Sequence, residues 1–288
     1  VRIDHQRVTD VIVEVGKKII LPRWRNLQAH EIKEKSGPHD LVTIADREAE
    51  EALTPMLQDI LPGSLVLGEE RFAAEPGVLA NLQSEQPVWI IDPVDGTKNF
   101  TEGDERFGTI VALVHRGEIL SGWIHHPVTG DTMTVEQGSG AWFRGKRLAV
   151  VPAAPLPMLH GTLGTRLHDP VLNFPGQGAA PEFDKRSFVS CDVYVAMLTG
   201  ERIFPQAEPA PRQQAFRITL MGSKPWDDAA GVLAVREGGG EVIDWTGQVY
   251  RPDMFDTGVI AGSNLETCLA LREWLMPAHR AAMQELSE

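Results

Sequence analysis

The chain has 288 residues, 42% apolar and 23% charged, with a formal net charge of −13 at pH 7 and a pI near 5.2. That length supports a large core in one domain or two intimate halves, and two cysteines, Cys191 and Cys268, are too few for a disulfide scaffold, so free structural thiols in a reducing cytoplasm are expected. The acidic balance opposes non-specific nucleic-acid binding, and neither a run of about 18 apolar residues nor a charged leader with an apolar core predicts a membrane span or signal peptide.

Val8, Val11, Ile12, Val15 and Ile19 recur at helical spacing, which predicts an amphipathic helix over 4–20 ended by Pro22. A polar stretch containing Ser36-Gly37-Pro38 follows. A second helix is expected from near Thr43, carrying Asp46, Glu48, Glu50 and Glu51 towards Leu57 and Ile60, with a kink at Pro55. After the Pro62-Gly63 turn, Leu65-Val66-Leu67 reads as a strand with carboxylates at its exit, Gly68-Glu69-Glu70. Val88-Trp89-Ile90-Ile91 repeats that pattern, ending at Asp92-Pro93 and delivering acid into a loop. From Phe107 to Gly140, three apolar runs separated by Arg116-Gly117 and Thr129-Gly130 predict an antiparallel meander. Its first strand is apolar on both faces and is expected to be central.

The second half opens with a loop over 152–157 and a strand over 159–163, and 169–184 reads as irregular. A helix over 190–198, a strand over 202–204 and a surface loop over 206–214 follow. Then come a strand over 216–221, a helix over 227–237, strands at 242–243 and 258–261, and a helix over 265–275. This alternation predicts α/β layers rather than a helical bundle, in a single domain over 1–288 with an α+β half to about residue 150 and an α/β half beyond it.

Acidic residues stand where elements end: Asp46 in a helix, Glu69 after a strand, Asp92 and Asp95 after the next, and Asp227 at a helix start. Hard divalent cations such as magnesium take oxygen ligands, and such ions orient water and neutralise a leaving oxygen. In Asp92-Pro93-Val94-Asp95-Gly96-Thr97 the proline fixes φ between two carboxylates, so that these and the Val94 carbonyl can face one point. Gly96 permits close backbone approach, the Gly96 and Thr97 amides can donate to a phosphate, and the Thr97 hydroxyl can orient water. Taken alone, the segment is an ordinary turn.

Gly-Glu-Glu at 68–70, Trp-Ile-Ile-Asp-Pro-Val-Asp-Gly-Thr-Lys-Asn-Phe at 89–100 and Trp-Asp-Asp-Ala-Ala-Gly at 226–231 occur in that order. With these motifs the chain strongly resembles the inositol monophosphatase family, in the superfamily that includes fructose-1,6-bisphosphatase and bisphosphate nucleotidases. The resemblance runs from about Asp40 to the C-terminal region and is weakest between about 165 and 222. It implies the layered αβαβα sandwich of the sugar-phosphatase fold. It further implies Glu69, Asp92, the Val94 carbonyl, Asp95 and Asp227 as ligands of two to three magnesium ions, with Glu69 shared between cations. Asp46 and Thr97 would polarise the attacking water, and Gly96 and Thr97 would hold the phosphate. The implied reaction is hydrolysis of a small inositol, sugar or polyol phosphate by direct attack of metal-activated water, without a phosphoenzyme. Lithium sensitivity and a homodimer are implied with it.

Other polar residues have plainer readings. His125 and His126 are adjacent on a strand, face opposite sides and are read as structural or exposed. Trp89, Trp123 and Trp142 are read as core or sheet-surface residues. Glu70 is read as a neighbour of the ligands or a solvated charge, Asp228 as a helix N-terminal charge about 100° from Asp227, and Gly238-Gly239-Gly240 as a helix stop. Substrate-side positions depart from the family pattern. In Arg186-Ser187-Phe188-Val189-Ser190-Cys191, valine replaces a glycine and cysteine a small residue, and Leu220 stands where inositol-specific members carry a glutamate. Two alternatives therefore stand beside the phosphatase: a 3′(2′),5′-bisphosphate nucleotidase, and a noncatalytic regulatory protein that retains the fold.

Overall fold

The computed structural model describes residues 1–37, 40–184, 189–200 and 213–287. Helix α1 (His5–Val15) starts where the Asp4 side chain accepts from the Arg7 amide, and it buries Val8, Val11, Ile12 and Val15 on the stripe their spacing predicts. Pro22 does not end it. The backbone widens into a π-helical stretch, Gly16–Ile20, and continues as α2 (Leu21–Arg23). The wider turn makes room for a residue that lacks an N–H and whose ring crowds an ordinary α-turn. The polar stretch that follows contains an antiparallel pair, β1 (Ile32–Gly37) and β2 (Asp40–Thr43), which leads straight into α3 (Ile44–Ile60).

Strand β3 (Leu65–Gly68), the short helix α4 (Glu69–Ala74), β4 (Val88–Asp95) and α5 (Thr97–Thr101) precede the meander β5 (Gly108–His115), β6 (Glu118–His126) and β7 (Asp131–Glu136). With β8 (Gly140–Phe143) and β9 (Lys146–Arg147) these form a seven-stranded sheet in the order β3-β4-β5-β6-β7-β8-β9. β5 lies inside it and is buried from Gly108 to Val114, as its two-faced apolar run predicts.

The second sheet is built from β10 (His160–Leu163), β11 (Glu182–Asp184), β12 (Phe216–Ile218), β13 (Glu241–Ile243) and β14 (Ile260–Gly262), five strands in the order β11-β10-β12-β14-β13. Helices α6 (His168–Asn173), α7 (Ser190–Thr199), α8 (Pro225–Glu237) and α9 (Leu265–Glu285) accompany it. The span 169–184 is thus not wholly irregular. It holds most of α6 and an edge strand of three residues, both too short to carry a period. α9 passes through Pro277 to Glu285 instead of stopping near 275. The strand expected at 202–204 and most of the loop expected at 206–214 lie outside the described residues, but Gln214 is buried and accepts from the Thr162 hydroxyl at 2.7 Å.

Alternation along the strands sorts the core. Trp89 and Ile91 face α1 and α3 together with Val111 and Trp123, whereas Ile90, Ile110 and Ile124 face α7 and α8. A third cluster joins Leu163, Phe216, Ile218 and Ile260 of the second sheet to Leu271 and Leu275 of α9. The layers run α1/α3, seven-stranded sheet, α7/α8, five-stranded sheet, α6/α9, with α8 touching both sheets. This is the αβαβα sandwich. Its middle layer carries Asp227 at the start of α8 and brings it to the exit of β4.

Candidate metal centre and active site

β4 continues through Asp95, so Asp92 and Asp95 lie on a strand rather than in a loop. Residues three apart in a regular strand face opposite sides. Here the register with β5 shifts between Asp92 and Asp95, around Pro93, which has no N–H for the ladder. The irregularity, held by the Thr109 hydroxyl donating to the Pro93 carbonyl at 2.9 Å, removes one step of alternation and turns both carboxylates to one side. Gly96 ends the strand at φ +88°, a left-handed conformation that a side chain disfavours. A Cβ there would also lie 2.8 Å from the Arg106 carbonyl and 2.9 Å from Val189 Cγ1.

Asp46 is the third residue of α3 and forms a capping box with Thr43, whose amide and hydroxyl donate to Oδ2 at 2.8 and 2.5 Å. That fixes the fully buried carboxylate and leaves Oδ1 facing the Thr97 hydroxyl at 3.1 Å. The same hydroxyl lies 3.0 Å from the Val94 carbonyl, so its single proton has two acceptors. Thr97 opens α5, where the first amides have no acceptor within the helix.

Glu69 begins α4 at the exit of β3, and Asp227 is the third residue of α8 behind Pro225, two positions later in the helix than its expected place at the start. An aromatic cluster ties the two helices together: Phe72 packs on Trp226 and Phe255 at ring-centroid distances of 5.2 and 5.1 Å.

Carboxylate oxygens of Asp92, Asp95 and Asp227 all lie within 4.8 Å of one another. Burial, then the charges of Glu69, Asp95, Asp227 and Asp46, push Asp92 well above the ordinary aspartate value. Burial followed by Asp95 does the same to Asp227. Burial also raises Asp95, against the opposing pull of the Cys191 amide, which donates to Oδ2 at 2.6 Å, and of Arg217. Asp92 Oδ1 is buried without a hydrogen-bond partner among the described residues. An all-oxygen acidic set whose members raise one another's pKa fits a hard divalent cation. Glu69 stands outside the 4.8 Å set, close enough for its charge to act on Asp92 and Asp227.

Asp228 lies in the first turn of α8, as expected of an N-terminal helix charge, but it also has donor partners from other elements. It is buried and accepts from Tyr194 Oη at 2.7 Å, Arg217 Nη1 at 2.8 Å and the Ser223 hydroxyl. Arg217 Nη2 also donates to the Ser190 hydroxyl at 2.9 Å, and the guanidinium lies over the Tyr194 ring. Burial opposes the Arg217 charge, but Tyr194, Asp228, Asp227 and Asp95 outweigh it and hold its pKa above the ordinary value. Arg217 had no signal in the sequence, because its partners come from α7 and α8. Asp46 did have one, since Thr43-Ile44-Ala45-Asp46 has the spacing of a capping box.

His125 and His126 are buried on opposite faces. His125 Nδ1 faces the Thr132 hydroxyl at 2.9 Å and His126 Nε2 the Cys191 carbonyl at 3.2 Å. Burial pulls them down to about 4 and about 3, so both are neutral at pH 7. Cys191 and Cys268 are buried free thiols that burial raises, Cys268 to about 12. Trp89 and Trp123 are core residues, Trp142 is exposed, and Gly238 and Gly239 end α8 before the turn into β13. Of the substrate-side segment, 186–188 lie outside the described residues. Leu220 lines a cavity of about 300 Å³ together with Leu163, Thr165, Arg166, Arg217 and Thr219.

The inositol monophosphatase family model matches residues 4–198 and 211–282. An inositol-1-monophosphatase of Mesorhizobium japonicum is 34% identical over 79% of this chain and 80% of its own length. A fructose-1,6-bisphosphatase/inositol-1-monophosphatase of Thermotoga maritima is 31% identical over 75% and 76%. The Vibrio cholerae protein named Nus factor SuhB is 30% identical over 80% of both chains. Among solved structures, the extragenic suppressor protein SuhB of Bartonella henselae superposes with a TM-score of 0.70 at 26% identity, covering 94% of this chain and 97% of that one. Motifs, fold and comparisons agree, and the chain belongs to the inositol monophosphatase family.

Proposed function

We propose that the protein is a magnesium-dependent phosphomonoesterase that hydrolyses a small inositol, sugar or polyol phosphate by direct attack of water. The observation that carries this reading is the mutually repelling cluster of Asp92, Asp95 and Asp227 beside the Asp46–Thr97 pair. Relatives named as inositol-1-monophosphatases support it. Asp92, Asp95, Asp227, the Val94 carbonyl and Glu69 would hold the cations. Bound there, magnesium supplies Lewis acidity that acidifies water and neutralises phosphoryl charge. The Gly96 and Thr97 amides orient the phosphate. Thr97 Oγ1 accepts a hydrogen bond from the attacking water while donating to Asp46 Oδ1, so the proton released as the new P–O bond forms passes towards Asp46 while the bond to the departing alkoxide breaks. Thr43 keeps Asp46 in place through that transfer.

Lithium inhibition, a homodimer and a cytoplasmic location belong to the same proposal. Release of inorganic phosphate across a panel of sugar, inositol, amino-alcohol and nucleotide phosphates, with and without magnesium, is the direct test. No turnover on any of them would sink it, and preference for adenosine 3′,5′-bisphosphate would select the nucleotidase alternative. One observation favours a second reading: the relative named Nus factor SuhB makes a regulatory role without catalysis worth testing in the same assay.

A further inference from the structure

We propose that Glu50 is a positioning residue for Glu69: a buried carboxylate clamp that sets the metal-facing end of α4 at a fixed distance from Asp46. The inference rests on the phosphatase reading above. Glu50 lies four residues after Asp46 on α3, so the two carboxylates share one helix face about one turn apart. Both are buried, at 6% and 0% exposure, yet they do different things. Asp46 turns to Thr43 and Thr97, whereas Glu50 accepts from the Glu70 amide through Oε2 and from the Arg71 amide through Oε1, each at 2.8 Å.

Those amides belong to the first turn of α4, which has no side-chain cap from its own preceding residue, Gly68. Glu50 therefore supplies from a distant helix the cap that a local Ser or Asp normally gives. Gly68 is what lets it in. A Cβ at that position would stand 2.1 Å from the Glu50 carboxyl carbon and within 2.4 Å of both of its oxygens. Glu69 sits between Gly68 and the two clamped amides, so its backbone is fixed on both sides. A carboxylate with two acceptor oxygens can satisfy both amides. A glutamine presents one oxygen and one NH₂, and must turn a donor against one of them.

The test uses the full chain in two states. In the metal-free protein, Glu50→Gln is expected to speed hydrogen exchange at the Glu70 and Arg71 amides. In the metal-loaded protein it is expected to weaken Mn²⁺ binding, read by electron paramagnetic resonance and calorimetry, by about 10–100-fold, the range found when a group that orients a metal ligand is lost. The magnesium concentration for half-maximal phosphate release should rise by a similar factor, with the substrate KM at saturating magnesium unchanged. Gly68→Ala, which drives a methyl group into the clamp, should reproduce these shifts, and it carries the test if Glu50→Gln fails to fold. Faster amide exchange with unchanged Mn²⁺ affinity would overturn the positioning role, and unchanged exchange would overturn the clamp. A wild-type protein that binds no Mn²⁺ and releases no phosphate would overturn the phosphatase reading instead, with the exchange measurement still reporting on the clamp.

Discussion

Asp227 and Asp228 are adjacent in the first turn of α8, and the protein treats them in opposite ways. Asp227 faces the carboxylates of Asp92 and Asp95, and desolvation and carboxylate repulsion outweigh the opposing pull of Arg217. Asp228, rotated by about 100° on the helix, is surrounded by donors: Arg217, Tyr194 and Ser223. The difference shows what distinguishes a ligand from a structural acid. A buried carboxylate whose neighbours are donors contributes to the folded state, whereas a half-buried one such as Asp227, whose neighbours are carboxylates, raises its energy until a cation arrives.

Substitution at each position should separate the two roles. The largest effect is expected for Asp227→Asn, which removes a ligand and one of three mutually repelling charges. Magnesium-dependent phosphate release should fall by at least about 100-fold, while the metal-free unfolding midpoint stays the same or rises. A midpoint that drops as far as that of Asp228→Asn would erase the distinction. Asp228→Asn removes the carboxylate that pairs directly with the buried Arg217 and should cost about 3–5 kcal/mol in urea unfolding. Loss of turnover there should follow loss of folded protein.

Magnesium and pH sharpen the same contrast. Asp92, Asp95 and Asp227 have folded-state pKa values raised above the ordinary 3.8. Their contribution to stability is therefore fully present below about pH 3.8 and is lost as pH rises through the raised values. A bound cation reverses that loss and competes with the protons. The gain in Tm on adding magnesium should accordingly be larger at pH 8 than at pH 5. At 100 times the dissociation constant it corresponds to about 2.7 kcal/mol. The smallest effect belongs to an ion pair that water already compensates. Glu14 near the end of α1 and Lys18 of the π-helical stretch meet in solvent at 2.6 Å, and Glu14→Gln should change stability by less than about 0.5 kcal/mol.

Much of this contrast was already legible in the chain. The acids at Asp46, Glu69, Asp92, Asp95 and Asp227 stand out because each stands at or near the end or start of an expected element, Glu69 and Asp92 directly after short apolar runs. The helix stripe of Val8 to Val15 and the meander from Gly108 to Glu136 follow from spacing, since burial on one face imposes a period on the residues that make it. The misses also have causes. Pro22 marks a helix end in local terms, but a π-helical stretch absorbs it. Strand β11 has three residues and exists through pairing with β10. Glu50 reads as one of several acids along α3, and only its docking against α4 distinguishes it from Glu48 and Glu51.

Local chemistry was thus enough for the α/β alternation, the family motifs and the identity of the acids, because period, turn residues and short motifs are properties of neighbours along the chain. Tertiary structure alone decided which acid meets which partner. The bulge in β4 turns Asp92 and Asp95 to one side, α8 brings Asp227 to them from more than 130 residues away, and Arg217 joins Asp228 instead. Whether a buried carboxylate stabilises the fold or waits for a cation depends on charges within a few ångströms, and that distance is set by packing between elements, not by order in the sequence.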